Sequence, residues 1–138
     1  MMKRIFLSIC LVCCSAALSV RAQLQLPALF SDNLVLQQGV PVTIWGWAQD
    51  GEKVTVKFRG QTVSTTTRDL KWSVKLRPLK ASRSPDKLTI IAPQQTVTLT
   101  NVLVGEVWVC SGQSNMEWPL SRSFQPEADI ASATNQLI

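Results

Sequence analysis

The residues best suited to covalent chemistry stand together in the string Cys110-Ser111-Gly112-Gln113-Ser114-Asn115-Met116-Glu117-Trp118. They follow an apolar run, Val107-Trp108-Val109-Cys110, of the kind that forms a strand covered on both faces. A nucleophilic serine must project from a rigid strand end into a cleft, with slim neighbours that let a carbonyl carbon approach. Ser111 and Gly112 supply the slim approach and Ser114 the hydroxyl. The Ser114 amide, in a turn beyond the strand, is placed to face a developing oxyanion, and removing such a donor typically raises the barrier by about 3 kcal/mol. Ser111 is the competing hydroxyl and reads as structural. Ser114 as an ordinary turn serine is the plain alternative. Glu117 is either a substrate contact or an exposed loop acid, and Trp118, before Pro119, either lines a pocket rim or packs beneath it.

A serine needs a base, and here composition intervenes. The 138 residues contain no histidine, so no Ser-His-Asp or Cys-His machine and no His-based zinc site is complete within them. The carboxylates are too scattered for a glycosidase pair or a metal cage. The formal charge of +5 includes Lys3, Arg4 and Arg21, which belong to what reads as a signal peptide over residues 1–22. Lys3 and Arg4 form its basic start, residues 5–20 its apolar run, and Val20-Arg21-Ala22 its cleavage site. That run falls short of the roughly 20 residues that span a bilayer, so export without a stable membrane span is expected, to the periplasm or the exterior. Lipoprotein anchoring at Leu11-Val12-Cys13-Cys14 is a lesser alternative. Removal of residues 1–22 takes Cys10, Cys13 and Cys14 with it, leaving Cys110 unable to form an internal disulfide and expected as a small buried residue. The remaining charge is too weak and dispersed to bind nucleic acid.

The elements that must position the serine are short strands. Residues 34–36 follow the Ser31-Asp32-Asn33 turn and residues 42–48 follow Pro41. Val54, Val56 and Phe58 alternate with lysines and Thr55, Arg59-Gly60 turns the chain into 61–67, and Trp72, Val74 and Leu76 alternate again after the turn at 68–71. A polar loop is expected at 80–86, then strands at 88–91 and 96–99. About seven strands with regular turns predict an antiparallel β-sandwich over residues 23–101. Trp45 and Trp47 share one face. They are either a platform for sugar rings or core, and core is the expectation because sandwich interiors use tryptophan heavily. From Val102 the pattern shifts to buried-strand character, then to a helix start at Pro126-Glu127-Ala128-Asp129-Ile130-Ala131, with another strand opening at Leu137-Ile138. Such a unit cannot bury its own faces, so residues 102–138 are expected to be the incomplete start of an α/β domain and the chain an amino-terminal piece of something longer.

The string Val109 to Trp118 resembles the first conserved block of the SGNH hydrolases, in the form found in the sialate O-acetylesterase family, where Gly-Gln-Ser-Asn-Met follows an apolar strand. The stretches Leu26-Pro27-Ala28-Leu29-Phe30-Ser31-Asp32-Asn33, Trp45-Gly46-Trp47-Ala48 and Asn101-Val102-Leu103-Val104-Gly105-Glu106-Val107-Trp108 are similar to that family's amino-terminal sandwich and its junction. The resemblance implies that Ser114 is the nucleophile and its amide an oxyanion donor, while Gly112, Gln113 and Asn115 shape the loop. It implies an O-acetylated sugar as substrate, sialic acid or another acetylated glycan, with no metal or organic cofactor. The family's oxyanion glycine and asparagine and its Asp-x-x-His pair are not among these residues. The fragment alone is therefore expected to be silent and its parent to be an esterase. The contrasting expectation is a non-catalytic carbohydrate-binding or architectural sandwich module.

Overall fold

A computed structural model describes residues 23–134. The expected signal peptide, with Cys10, Cys13 and Cys14, and the strand expected at Leu137-Ile138 lie outside the described residues. The chain divides into two compact units, the first ending at Glu106 and the second beginning at Val107.

The first unit is built from strands β1 (Val35–Gln37), β2 (Val42–Trp47), β3 (Lys53–Phe58), β4 (Gln61–Thr66), β5 (Lys71–Leu76), β6 (Ser82–Ala92) and β7 (Gln95–Gly105). Five form one sheet in the order β1-β7-β6-β3-β4, and β2 and β5 form a second sheet. Local sequence explains the tightest connections. Phe58 pairs with Gln61, so Arg59 and Gly60 make a two-residue loop, and both carry positive φ, 45° and 74°. This is the turn whose twist matches that of paired strands. Asp69 and Leu70 repeat the pattern, with φ of 52° and 61°, between bridged Arg68 and Lys71. A left-handed leucine costs about 1–2 kcal/mol. The carboxylate of Asp50 offsets this by accepting the Leu70 amide at 2.6 Å. That turn carries the chain from one sheet to the other.

Alternation then fills the interior. Ile44, Trp72, Val74 and Leu76 from the small sheet join Val54, Val56, Phe58, Leu88, Ile90, Leu99, Val102 and Val104 from the large one in a single hydrophobic cluster. The expectation of a β-rich domain with about seven strands is met, with differences. One pairing, β1 with β7, is parallel, with Leu36 opposite Val104, because the two strands are joined by a long excursion rather than a hairpin. The polar loop expected at 80–86 is mostly strand. β6 starts at Ser82, and its register against β7 shifts between Ser82 and Leu88. Pro85 sits within this irregular stretch, which a residue without an N–H can occupy. Residues 102–105 complete β7 rather than opening the next domain, since Val102 and Val104 point into the first unit's core.

The second unit holds two 3-10 helices, Ser114–Glu117 and Leu120–Arg122, and one α-helix, α1 (Pro126–Ser132). Its proline start and its acids Glu127 and Asp129 in the first turn match the helix expected from the sequence. None of residues 107–134 is buried, and Pro126 alone is half-buried. Among the described residues no helix is long and apolar enough to cross a membrane.

Candidate active site

Val107 to Cys110 is irregular backbone rather than the expected covered strand. Trp108 is 83% exposed and Val109 90%. An apolar run becomes a strand when a neighbour pairs its backbone groups and a second layer covers its faces, and residues 107–134 supply neither. Cys110, expected to be buried, is a free and exposed thiol for the same reason.

Beyond it the chain tightens. The Met116 amide donates to the Gln113 carbonyl at 2.9 Å and the Trp118 amide to Asn115 at 3.4 Å, closing the turn that begins at Ser114. As the first residue of that helix, Ser114 presents an amide with no acceptor in the helix itself. Its side chain is exposed, and its hydroxyl makes no hydrogen bond among the described residues. Gly112 is required by close approach. A Cβ there would lie 2.7 Å from Met116 Cγ, so the Met116 side chain folds back over the glycine. That contact was not foreseen from the sequence. Its only signal was the i, i+4 spacing of a glycine and a long side chain across a turn.

Asn115 and Trp118 line a shallow cleft of about 350 Å³. Trp118 is 59% exposed, and it is fixed by its own neighbours: its Nε1–H donates to the Arg122 carbonyl at 3.1 Å, and the Arg122 guanidinium lies over the ring at 6.0 Å. Gln113, Ser114, Asn115 and Trp118 are thus on one short segment with Ser111 and Glu117, and all of them are exposed. The described residues hold no cluster of three or more histidine, cysteine or carboxylate side chains that would cage a metal.

In the first unit, Glu106 follows the last residue of β7 and anchors it. Its carboxylate accepts from Gln37 Nε2 at 2.9 Å and from Gln38 Nε2. These two bonds hold its carboxyl below the usual glutamate range. Asp32 does the same for the turn before β1, accepting the Thr100 amide at 2.6 Å and the Thr100 hydroxyl at 3.0 Å, which also lowers its pKa.

The expectation that Trp45 and Trp47 lie in the core is not met. Trp45 is 38% exposed and Trp47 half-buried. Their rings meet edge to face at 5.3 Å on the outer side of the small sheet. Parity explains it: Ile44 points inward, so Trp45 points outward. Gly46, between the tryptophans, has no side chain to bury, and the core is filled there by Trp72 beneath it.

No family model matches the chain. The sialate O-acetylesterase of Mus musculus is 32% identical over 116 residues, covering 75% of this chain and 21% of that protein. The sialate O-acetylesterase of Rattus norvegicus is 33% identical over 120 residues, with the same coverage, and that of Homo sapiens 32% identical over 117 residues, covering 74% and 22%. Among solved structures, a carbohydrate acetylesterase from Xanthomonas citri superposes with a TM-score of 0.72 at 32% identity, over 82% of this chain and 26% of that one. The matched segment therefore spans about a fifth of the curated relatives' length.

Proposed function

The matched three quarters of this chain belong to the sialate O-acetylesterase family, and on that premise we propose that the chain supplies the nucleophile of an exported esterase that removes O-acetyl groups from sugars. The first unit is read as the sandwich that precedes an SGNH hydrolase domain and the second as that domain's opening segment. The observation that carries the reading is Ser114, exposed at the head of a tight turn, with a hydroxyl that makes no hydrogen bond among the described residues and a slim glycine two residues before it.

Ser114 Oγ attacks the acetyl carbonyl carbon while its proton passes to a base. The carbonyl oxygen gathers negative charge, which the Ser114 amide stabilises. Collapse expels the sugar oxygen, which takes the proton, and leaves acetyl-serine. Water then releases acetate and restores the hydroxyl. Gly112, Gln113 and Asn115 hold the loop, and Trp118 flanks the cleft that Asn115 lines. These 138 residues contain no histidine, so the base comes from polypeptide outside them. A serine hydroxyl without a base is a poor nucleophile near neutral pH.

The test compares the 138-residue chain with a protein extended by downstream sequence carrying an Asp-x-x-His pair, using release of acetate from a chromogenic acetyl ester. The extended protein hydrolyses the ester and its Ser114→Ala variant loses at least about 10³-fold in kcat, while the short chain is silent. Hydrolysis by the extended protein that survives Ser114→Ala would refute the assignment.

A further inference from the structure

The first unit carries a second site. On the outer face of the small sheet, Trp45 stands directly opposite Ser73 and Trp47 opposite Lys71. These four residues, with Arg68 and Trp72, line an open cleft of about 660 Å³. Two features of it point to one ligand chemistry.

The first is an aromatic wall left uncovered. Phe30 meets the Trp45 ring edge to face at 6.3 Å and Trp47 meets it edge to face at 5.3 Å, while Trp45 stays more than a third exposed. An indole face is electron-rich and attracts the polarised C–H groups that cover one side of a pyranose ring. The second feature is charge. Arg68 and Lys71 line the cleft, no acid does, and neither forms a salt bridge among the described residues. Uncompensated cations beside an aromatic platform favour an anion, and the guanidinium fork matches a carboxylate.

We infer that this cleft binds a carboxylate-bearing pyranose residue of a glycan, stacked on the exposed face of Trp45 beside Trp47, with its carboxylate on Arg68 and Lys71. This inference stands apart from the esterase reading, because it involves neither Ser114 nor an ester. Gly46, between the two tryptophans, faces the other way and admits close packing there: a Cβ would meet the Gln25 carbonyl oxygen and lie 2.9 Å from Trp72 Cζ2.

The five tryptophans make the test direct. The ¹⁵N-labelled 138-residue chain is titrated at low salt with a glucuronate-containing tetrasaccharide and, separately, with cellotetraose. The expected result is movement of the indole N–H signals of Trp45 and Trp47, with those of Trp108 and Trp118 still, and affinity about tenfold weaker for the neutral sugar. Trp45→Ala weakens binding of the acidic sugar about tenfold, and the Arg68→Gln/Lys71→Gln double variant removes the preference between the two sugars while keeping a dispersed spectrum. Absence of any movement at Trp45 and Trp47, equal movement at all five indoles, or equal affinity for both sugars overturns the proposal. None of these readouts depends on hydrolysis, so failure here leaves the Ser114 assignment intact, and failure of Ser114→Ala leaves this one intact.

Discussion

At the scale of single residues, the reactive role proposed for Ser114 depends on a glycine as much as on the serine. Gly112→Ala would push a methyl against Met116 Cγ. The methionine is a flexible side chain on an exposed turn, so the expected outcome is a shift of the turn rather than unfolding. In the extended enzyme kcat should fall by about tenfold or more as the Ser114 amide and hydroxyl are displaced, with the melting temperature unchanged. Trimming the obstacle in a Gly112→Ala/Met116→Ala variant should restore part of the rate, and a double variant no better than the single one would show that the contact does not position Ser114. Asp32 gives a residue-scale expectation in pH. Its folded pKa lies below the unfolded value because Thr100 donates to the carboxylate, so the unfolded chain takes up the proton first as pH falls. The stabilisation is fully present above the ordinary aspartate pKa and is lost as pH drops through the lowered one. Asp32→Asn should therefore melt earlier than the native chain near neutrality, and thermal melts should show the gap closing with acidification. A gap that widens in acid would contradict the assigned bonds.

At the scale of elements, turn chemistry is the lever. Gly60 with φ of 74° is where the β3–β4 hairpin reverses, and Gly60→Val should cost about 1–2 kcal/mol in denaturant titrations. The same substitution at a right-handed surface position would cost far less. The hairpin was legible in the sequence because Arg59-Gly60 interrupts clean alternation on both sides. So were the core positions Val54, Val56, Phe58, Trp72, Val74 and Leu76, since period-two patterning and burial are one physical fact. The tryptophans were misplaced because composition was weighed above parity: Ile44 already fixed which face of β2 was inward. The strand expected at Val107 failed for a different reason. An apolar run records that a segment wants cover, and it does not say which residues provide the cover. The parallel β1–β7 pairing was hidden because strand partners far apart in sequence leave no mark in local pattern.

At the scale of the whole molecule, the two units differ in kind. The first has a core of fully enclosed Ile44, Val54, Val56, Leu76, Leu88, Ile90 and Val102. The second keeps Trp108, Val109 and Phe124 on its surface, each more than four fifths exposed. Amide hydrogen exchange should divide the 138-residue chain accordingly. Amides of β3, β6 and β7 should exchange only through global opening, and those of 107–134 within the fast regime of exposed backbone. Uniform protection across both units would contradict the picture. Leu88→Ala should lower the stability of the first unit by about 2–5 kcal/mol and leave exchange in 107–134 as it was.

The pairing of Val35 with Leu103 sets an order of events during synthesis. Its two halves are made at opposite ends of the unit's translation, and the edge of the larger sheet cannot close until the later half has left the ribosomal tunnel. Until then the nascent chain holds the first strand unmatched. Closure of that edge is accordingly late, waiting on almost the last residue of the unit, whereas the local β3–β4 hairpin needs nothing made after it.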